Sequence, residues 1–198
     1  MKIYDISQEL FASVVFPGDP APEKITLRSM EQGDLFNLTA LSMCAHNGTH
    51  VDAPSHFVKT GKNVDEMELS KMVGYAYVAA HEGVVTAPDA KRILESASAQ
   101  CAEAAKRILI KGKAAVSYEA AEVFAAAGIV LIGNESQTVG PEDGPMAVHQ
   151  LLLGQEVVLL EGVRLAHVPD GVYFLSAAPI NLGGVEGSPC RAILIDFK

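Results

Sequence analysis

Four side chains between residues 46 and 56 could bind a metal ion or exchange protons: His46, His50, Asp52 and His56. All four occupy even positions, so in an extended backbone they would project from one face. Burying three imidazoles and a carboxylate together is costly unless a metal ion or a full set of polar partners compensates them. The cluster therefore indicates a metal-dependent enzyme.

The backbone of this segment is expected to be strand or loop. His46 and His50 have the i, i+4 spacing of a metalloprotease helix, but Asn47-Gly48 favours a turn and Pro54 cannot donate to a helical hydrogen-bond ladder. A straight strand, rising ~3.3 Å per residue, would hold the Cα atoms of His46 and His50 about 13 Å apart, which is almost too far for one shared ion. We therefore predict a bend at Asn47-Gly48.

Two further ionisable residues lie in apolar surroundings. His149 belongs to the apolar segment 146–151, and Glu161 follows the apolar run 157–160. An ionisable group in such surroundings needs a partner, because its desolvation is unfavourable. Each has an ordinary alternative, since His149 could form a hydrogen bond within its helix and Glu161 could be a solvated strand end. A metal ion would satisfy both residues.

The bulk composition excludes several classes of function. The chain has 198 residues, 49% of them hydrophobic, and its mean hydropathy is +0.22, so we expect a single folded domain over residues 1–198. A net charge of −9 with dispersed basic residues argues against nucleic acid as a partner. The sequence contains neither an apolar run long enough to span a bilayer nor an N-terminal signal peptide, so we expect a cytoplasmic protein without a membrane partner.

The three cysteines are few and widely spaced. Cys44, Cys101 and Cys190 form no CxxC pair, which fits reduced thiols better than disulfides or a cysteine-rich zinc site. Cys44 lies two residues before His46 and is a weak ligand candidate. We favour a role for it as a small buried apolar residue.

The hydrophobic pattern predicts an α/β fold whose first third is rich in strands. Short apolar strands then alternate with helices, an order typical of parallel strands buried on both faces. The expected strands are 2–6, 24–30, 35–45, 75–81, 107–110, 129–132, 156–160, 172–178 and 191–197, and the expected helices are 64–72, 88–98, 117–127 and 146–153.

The motif that runs from His46 to Phe57 resembles the signature of the cyclase-like metal-dependent hydrolase family, which includes bacterial kynurenine formamidases (arylformamidases) and isatin hydrolases. The resemblance extends to most of the chain and leaves out only residues 82–128. It rests also on the segments 3–10, 16–19, 61–62, 131–133, 161–163 and 187–192.

The resemblance implies two divalent metal ions per subunit, with zinc expected first and manganese second. It assigns His46, His50 and Asp52 to the first ion, and it lets Asp52 bridge to the second. His149 and Glu161 would complete the second ion's ligands, and His56 would act as an acid/base residue that does not bind metal. Nitrogen and oxygen ligands without thiolate suit a reactive zinc or manganese site.

The resemblance further implies hydrolysis of a small aryl formamide such as N-formylkynurenine to formate and a free arylamine by metal-activated water. Phe16 stands where formamidases carry a substrate-packing tryptophan, and this chain has no tryptophan. Positions 135, 138 and 140 depart from the family pattern as well. The alternatives are a related hydrolase that opens a cyclic amide or lactone such as isatin, and a metal-binding homologue without catalysis.

The fold implied is a swivelling β/β/α domain, in which helices flank a mixed, barrel-like β core. Family members form homodimers or larger homo-oligomers, so we expect a homo-oligomer here too.

Overall fold

The computed structural model describes residues 1–197, in which three α-helices flank a mixed β-sheet. The helices are α1 (Ala87–Gln100), α2 (Tyr118–Ala126) and α3 (Met146–Gly154). The strands are β1 (Lys2–Asp5), β2 (Glu23–Arg28), β3 (Leu38–Ser42), β4 (His50–Asp52), β5 (Val73–Ala80), β6 (Gly83–Val85), β7 (Arg107–Lys111), β8 (Ala114–Val116), β9 (Leu131–Asn134), β10 (Val158–Glu161), β11 (Gly171–Ser176), β12 (Gly187–Pro189) and β13 (Ile193–Asp196).

Nine of these strands form the main sheet, in the order β1-β13-β11-β5-β7-β9-β10-β4-β12. The four central strands, β5, β7, β9 and β10, are parallel, and the strands on either side of them pair antiparallel. This arrangement confirms the α/β class and the mixed sheet with flanking helices.

Both faces of the central strands are buried, which explains their almost uninterrupted apolar sequences. In β7, Ile108 and Ile110 face the core that all three helices cover, whereas Leu109 faces a second core on the opposite side. Phe124 of α2 and Leu152 of α3 are fully buried in the first core. The crossovers between the parallel strands therefore place the helices on one face of the sheet.

Local signals account for where the helices begin. Thr86 caps α1 by accepting a hydrogen bond from the Asp89 backbone amide, and Pro88 lies in the first turn. The Ser117 side chain caps α2 in the same way. None of the described helices is long and apolar enough to cross a membrane.

The structure corrects several predicted elements. The helix predicted over 64–72 is wrong, because the segment forms two 3-10 turns, Val64–Glu66 and Leu69–Lys71, separated by extended backbone at Met67. Met67 is buried in the second core, so tertiary packing overrides the helical pattern. The strand predicted over 35–45 is shorter, since β3 ends at Ser42.

The strands β2 and β3 form a separate two-stranded sheet, which we call the hairpin arm (residues 23–42). Every residue of β2 is exposed. The apolar side chains exposed along the arm are Ile25, Leu27, Met30, Leu35, Phe36, Leu38 and Leu41. An apolar surface of this kind on an antiparallel ribbon is typical of an interaction site.

Candidate metal centre

The short strand β4 supplies two side chains to one face of the sheet. His50 and Asp52 are two residues apart, so their side chains project the same way, and both are almost completely buried. The antiparallel pairing of β10 with β4 sets Glu161 directly opposite His50. Glu161 Oε2 consequently lies 3.5 Å from His50 Nε2. Two stretches more than a hundred residues apart thus meet across neighbouring strands.

The predicted bend before β4 is confirmed. Gly48 has a φ of +70°, a left-handed conformation that glycine adopts readily. The bend turns His46 back toward the strand, and His46 Nδ1 lies 2.8 Å from Asp52 Oδ1. The expectation that four residues share one strand face is wrong, because only His50 and Asp52 belong to β4. Their neighbours His46 and His56 reach the site from a turn and from the 3-10 turn Pro54–His56.

The imidazole of His46 lies over Gly187 of β12. A Cβ atom at position 187 would approach His46 Cε1 to 2.5 Å, so only glycine leaves room for the ring. The pairing of β12 with β4 places Gly187 opposite Asp52. The sequence marked Gly187 only as part of a motif and gave no sign of this packing.

The helix α3 brings His149 to the same place. His149 Nε2 lies 3.1 Å from Glu161 Oε1 and 3.7 Å from Asp52 Oδ2. The five side chains that the sequence singled out as ligands therefore converge in one cluster. Asp52 lies at its centre, with Oδ1 facing His46 and His50 and Oδ2 facing His149.

Backbone carbonyls fix the orientation of two imidazoles. His50 Nδ1 donates to the Gly48 carbonyl at 3.1 Å, and His149 Nδ1 donates to the Pro145 carbonyl at 2.9 Å. A carbonyl can only accept, so in both rings the Nδ1 atom carries the proton. Each Nε2 atom is left to face the carboxylates, which is the usual arrangement for a metal-binding histidine.

The buried carboxylates favour positive charge around them. Burial alone would lower the pKa of His50, but contacts with Asp52 and Glu161 outweigh it and raise that pKa far above its ordinary value. The same competition raises the pKa of His46 through Asp52 and the pKa of His149 through Glu161. Burial would raise the pKa of Asp52, yet hydrogen bonds from His46 and His50 hold it well below its usual range. A divalent cation would supply the positive charge that this site favours.

The donor set fits a divalent metal ion. Within residues 1–197, two groups of three side chains could each hold an ion, and their ligand atoms lie within 4.8 Å of one another. The first group is His46, His50 and Asp52, and the second is Asp52, His149 and Glu161. His46 Nε2 is buried and has no hydrogen-bond partner in the described structure, so it is available to a metal ion. Cys44 belongs to neither group, and its Sγ lies 3.8 Å from Asp19 Oδ2.

His56 lies beside this cluster and outside both groups. Its ring stacks on His46 with a centroid distance of 4.1 Å, and its centroid lies 6.4 Å from that of His149. Phe57 packs edge-on against it. Burial lowers the pKa of His56, whereas at His46, His50 and His149 the carboxylates outweigh burial. A histidine with a lowered pKa is uncharged at neutral pH and can accept a proton.

Sequence reasoning missed several residues that hold the site. The Val139 amide donates to Glu161 Oε1 at 2.7 Å, and the Gln137 side chain donates to the Gly48 carbonyl at 3.2 Å. Glu186 Oε1 lies 3.4 Å from His46 Nε2 without forming a hydrogen bond, and its charge contributes to the raised pKa of His46. A backbone amide leaves no trace in residue types, and the two polar side chains carried no spacing signal, so only the fold reveals them.

Phe16 lies in the wall of a cavity that is separate from the cluster. It lines an open cavity of about 1090 Å³, whose wall also includes Gln137, Thr138 and Gly140. None of the five clustered ligand candidates lines this cavity. The segment that separates the two contains Val139, whose amide binds Glu161, so one short stretch of chain borders both the cavity and the cluster.

Known proteins are similar to this chain over almost its whole length. A kynurenine formamidase from Salinibacter ruber is 33% identical, over 99% of this chain and 98% of that protein. One from Bacillus anthracis is 33% identical, over 98% of this chain and 97% of that protein. These alignments include residues 82–128, which the sequence motifs had left unassigned.

Solved structures share the fold. A potential metal-dependent hydrolase with cyclase activity superposes with a TM-score of 0.82 at 25% identity, covering 100% of this chain and 98% of that one. Isatin hydrolase A from Labrenzia aggregata gives a TM-score of 0.82 at 21% identity, covering 100% and 94%. The sequence profile described as putative cyclase matches residues 4–141. The chain therefore belongs to the putative cyclase family.

Proposed function

We propose that the protein is a metal-dependent amidohydrolase that cleaves a small aryl formamide, such as N-formylkynurenine, to formate and a free arylamine. The observation that carries the proposal is the clustering of five ligand-type side chains, in which Asp52 belongs to both groups of three, with His56, whose pKa burial lowers, next to them. Full-length relatives named kynurenine formamidase support the choice of substrate.

Two divalent ions, zinc in preference to manganese, would occupy the cluster. His46, His50 and Asp52 would hold one ion, and the second carboxylate oxygen of Asp52 would share the other ion with His149 and Glu161. Such ions lower the pKa of bound water toward neutrality and polarise an amide carbonyl. The chain's own contribution is to fix the ligands through the pairing of β4 with β10 and the hydrogen bonds at His50 and His149.

His56 would move the proton that amide cleavage requires. The departing arylamine nitrogen must gain a proton as the C–N bond breaks, because the unprotonated nitrogen would leave as an anion and is a poor leaving group. An uncharged ring nitrogen of His56 can take the proton that the attacking water loses and deliver it to the arylamine nitrogen. Its stacking against His46 and its contact with Phe57 hold the ring beside the cluster.

Phe16 would contact the aryl ring of the substrate. The cavity that it lines borders the segment 136–140, and that segment binds Glu161 through Val139. An aromatic side chain in such a wall can stack on an arylamine and contribute about 0.5–1.5 kcal/mol beyond burial.

The hairpin arm would join two copies of the chain into a homodimer. Ile25 and Leu27 alternate with Lys24 and Thr26 along β2, so one face of the ribbon is more apolar than the other. A second copy of the same surface offers a matching apolar face, as a two-fold interface requires.

The first test is a substrate panel. The purified protein should hydrolyse N-formyl arylamines and release formate, and it should leave isatin-like lactams intact, with both reactions followed by absorbance. Activity confined to the ring compounds would replace the formamidase reading with that of a lactam-opening hydrolase. If metal-loaded protein hydrolyses neither class of compound, the protein is a metal-binding homologue without catalytic activity.

The second prediction concerns metal stoichiometry. Protein purified without chelator should contain two zinc ions per chain by elemental analysis, and removing them should abolish hydrolysis. Glu161→Gln should keep one ion, whereas Asp52→Asn should weaken both because each group uses this carboxylate. Glu156→Gln, which changes an exposed carboxylate paired with Lys62, is the control and should keep both ions. Equal metal loss in the Glu161 and Asp52 variants would contradict the shared role of Asp52.

The third prediction separates proton transfer from metal binding. His56→Ala should lower kcat by about 10²–10⁴-fold, the usual range for a lost general acid or base. Its metal content should stay at the wild-type value, because His56 lies outside both ligand groups. His81→Ala removes a histidine that contacts the Val84 carbonyl away from the cluster and should leave both quantities unchanged. Metal loss in His56→Ala would show that His56 is a ligand.

The fourth prediction concerns the hairpin arm. Ile25→Glu should shift the protein from dimer to monomer and raise the dimer dissociation constant at least about tenfold, since burying an isoleucine contributes roughly 1.5–3 kcal/mol. Sedimentation equilibrium measures the shift. Thr26→Glu introduces the same charge at the adjacent, oppositely directed position and should leave the dimer intact. A monomeric wild type, or equal loss in both variants, would refute this interface.

A further inference from the structure

The Gly48 carbonyl accepts two hydrogen bonds that connect His50 with a residue far away in the sequence. His50 Nδ1 donates to it at 3.1 Å and Gln137 Nε2 at 3.2 Å. A carbonyl oxygen has two lone pairs and can accept both. The hydrogen bond that fixes the protonated nitrogen of His50 is therefore shared with the Gln137 amide.

The orientation of the Gln137 amide follows from Arg164, because a guanidinium group can donate hydrogen bonds but cannot accept them. Arg164 Nη2 lies 2.5 Å from Gln8 Oε1, and the Val14 amide donates to the same oxygen at 3.1 Å. Gln8 must present its oxygen to these donors, so its Nε2 donates to Gln137 Oε1 at 2.9 Å. Gln137 is thereby left with its NH₂ group toward Gly48. The hydrogen-bonded side chains of Arg164, Gln8 and Gln137 thus set the direction of the hydrogen bond at Gly48.

The same cluster also holds the segment next to Glu161. The Gly162 carbonyl accepts from Gln8 Nε2 at 2.9 Å and from Thr49 Oγ1 at 2.8 Å. Gly162 has a φ of +69°, and a Cβ there would collide with the side chains of Gln8 and Gln137 and lie 2.7 Å from the Gly48 oxygen. The two glutamines are therefore packed directly between the residues that precede His50 and the residue that follows Glu161.

We propose that Gln137, oriented by Gln8 and Arg164, is a positioning residue that fixes the Gly48 carbonyl and with it the orientation of His50. The inference rests on the proposed function, since it concerns how His50 is presented to a metal ion. The side-chain hydrogen bonds of Gln137 join it to Gln8 and to the Gly48 carbonyl, so it acts on His50 through the backbone of Gly48.

The size of the effect follows from the position of Gln137 in this chain. Loss of a residue that hydrogen-bonds a metal ligand costs about 10–100-fold in metal affinity. Gln137 acts one bond further away, so we expect a loss near the lower limit, about tenfold. Because Gln137 also lines the cavity beside Phe16, the rival explanation is a direct contact with substrate.

The test is Gln137→Met, which keeps the length of the side chain and removes both polar atoms. Zinc affinity is measured by competition with a chromophoric chelator, and the visible spectrum of cobalt-substituted protein reports the ligand geometry. The thermal midpoint of metal-free protein, kcat and KM are measured in parallel. Ser136→Ala is the matched control, because Ser136 is the adjacent cavity residue and its hydroxyl donates to Glu142 rather than to Gly48.

We expect Gln137→Met to bind zinc about tenfold more weakly and to change the cobalt spectrum, while Ser136→Ala matches the wild type. A lower thermal midpoint with unchanged affinity and spectrum would show a merely structural role and overturn the proposal. A raised KM with unchanged affinity would show a substrate contact and overturn it too.

A second variant covers the case in which Gln137→Met does not fold. Gln137→Glu keeps the shape and the bond from Gln8 but places an oxygen against the Gly48 oxygen, so it should weaken zinc binding at least as much. Wild-type affinity in this variant would overturn the proposal. Wild-type protein that binds no metal would instead refute the proposed function, which keeps the two failures distinct.

Discussion

The arrangement of the site depends on one buried carboxylate. Asp52 is about 1% exposed, and its two oxygens face imidazoles that come from a turn, a strand and a helix. A buried carboxylate without partners would be strongly unfavourable. Because both oxygens of Asp52 have imidazole partners, this carboxylate fixes where the three histidines lie. The raised pKa values of His46 and His50 are mainly the response of these histidines to this charge, whereas Glu161 is the main cause of the raised pKa of His149.

The sheet makes this concentration of charge possible. The strand β4 is only three residues long and lies between β10 and β12, so its backbone is paired on both sides. Its rigidity comes from these neighbours, because three residues alone could not hold a fixed geometry. The network of Gln8, Gln137 and Arg164 extends the same rigidity to the turn before β4, where no sheet pairing is available.

Much of the fold could be predicted from the sequence because local and tertiary preferences agree there. Pro88 opens α1, and the apolar strand at Ile108 lies in a parallel sheet buried on both faces, as expected. The helix predicted at Val64 fails because its apolar spacing also fits two 3-10 turns, and the burial of Met67 decides between them.

The residue types of the site were visible in the sequence, but its geometry was not. Asn47-Gly48 signals a bend, and an acidic residue after an apolar strand signals a need for partners. The register that sets Glu161 opposite His50 is a property of two strands whose pairing no local pattern encodes. The same holds for the space above Gly187 and for the Val139 amide, which depend on backbone positions that only the assembled sheet defines.

The location of Gly187 has a consequence for biosynthesis. β12 is synthesised long after β4, the strand that bears His50 and Asp52, and it covers the edge of that strand. During translation the first histidines leave the ribosome long before the residues that must pack against them. A nascent chain therefore exposes an unfinished cation-binding half-site, and this half-site is completed only after β12 has left the ribosome.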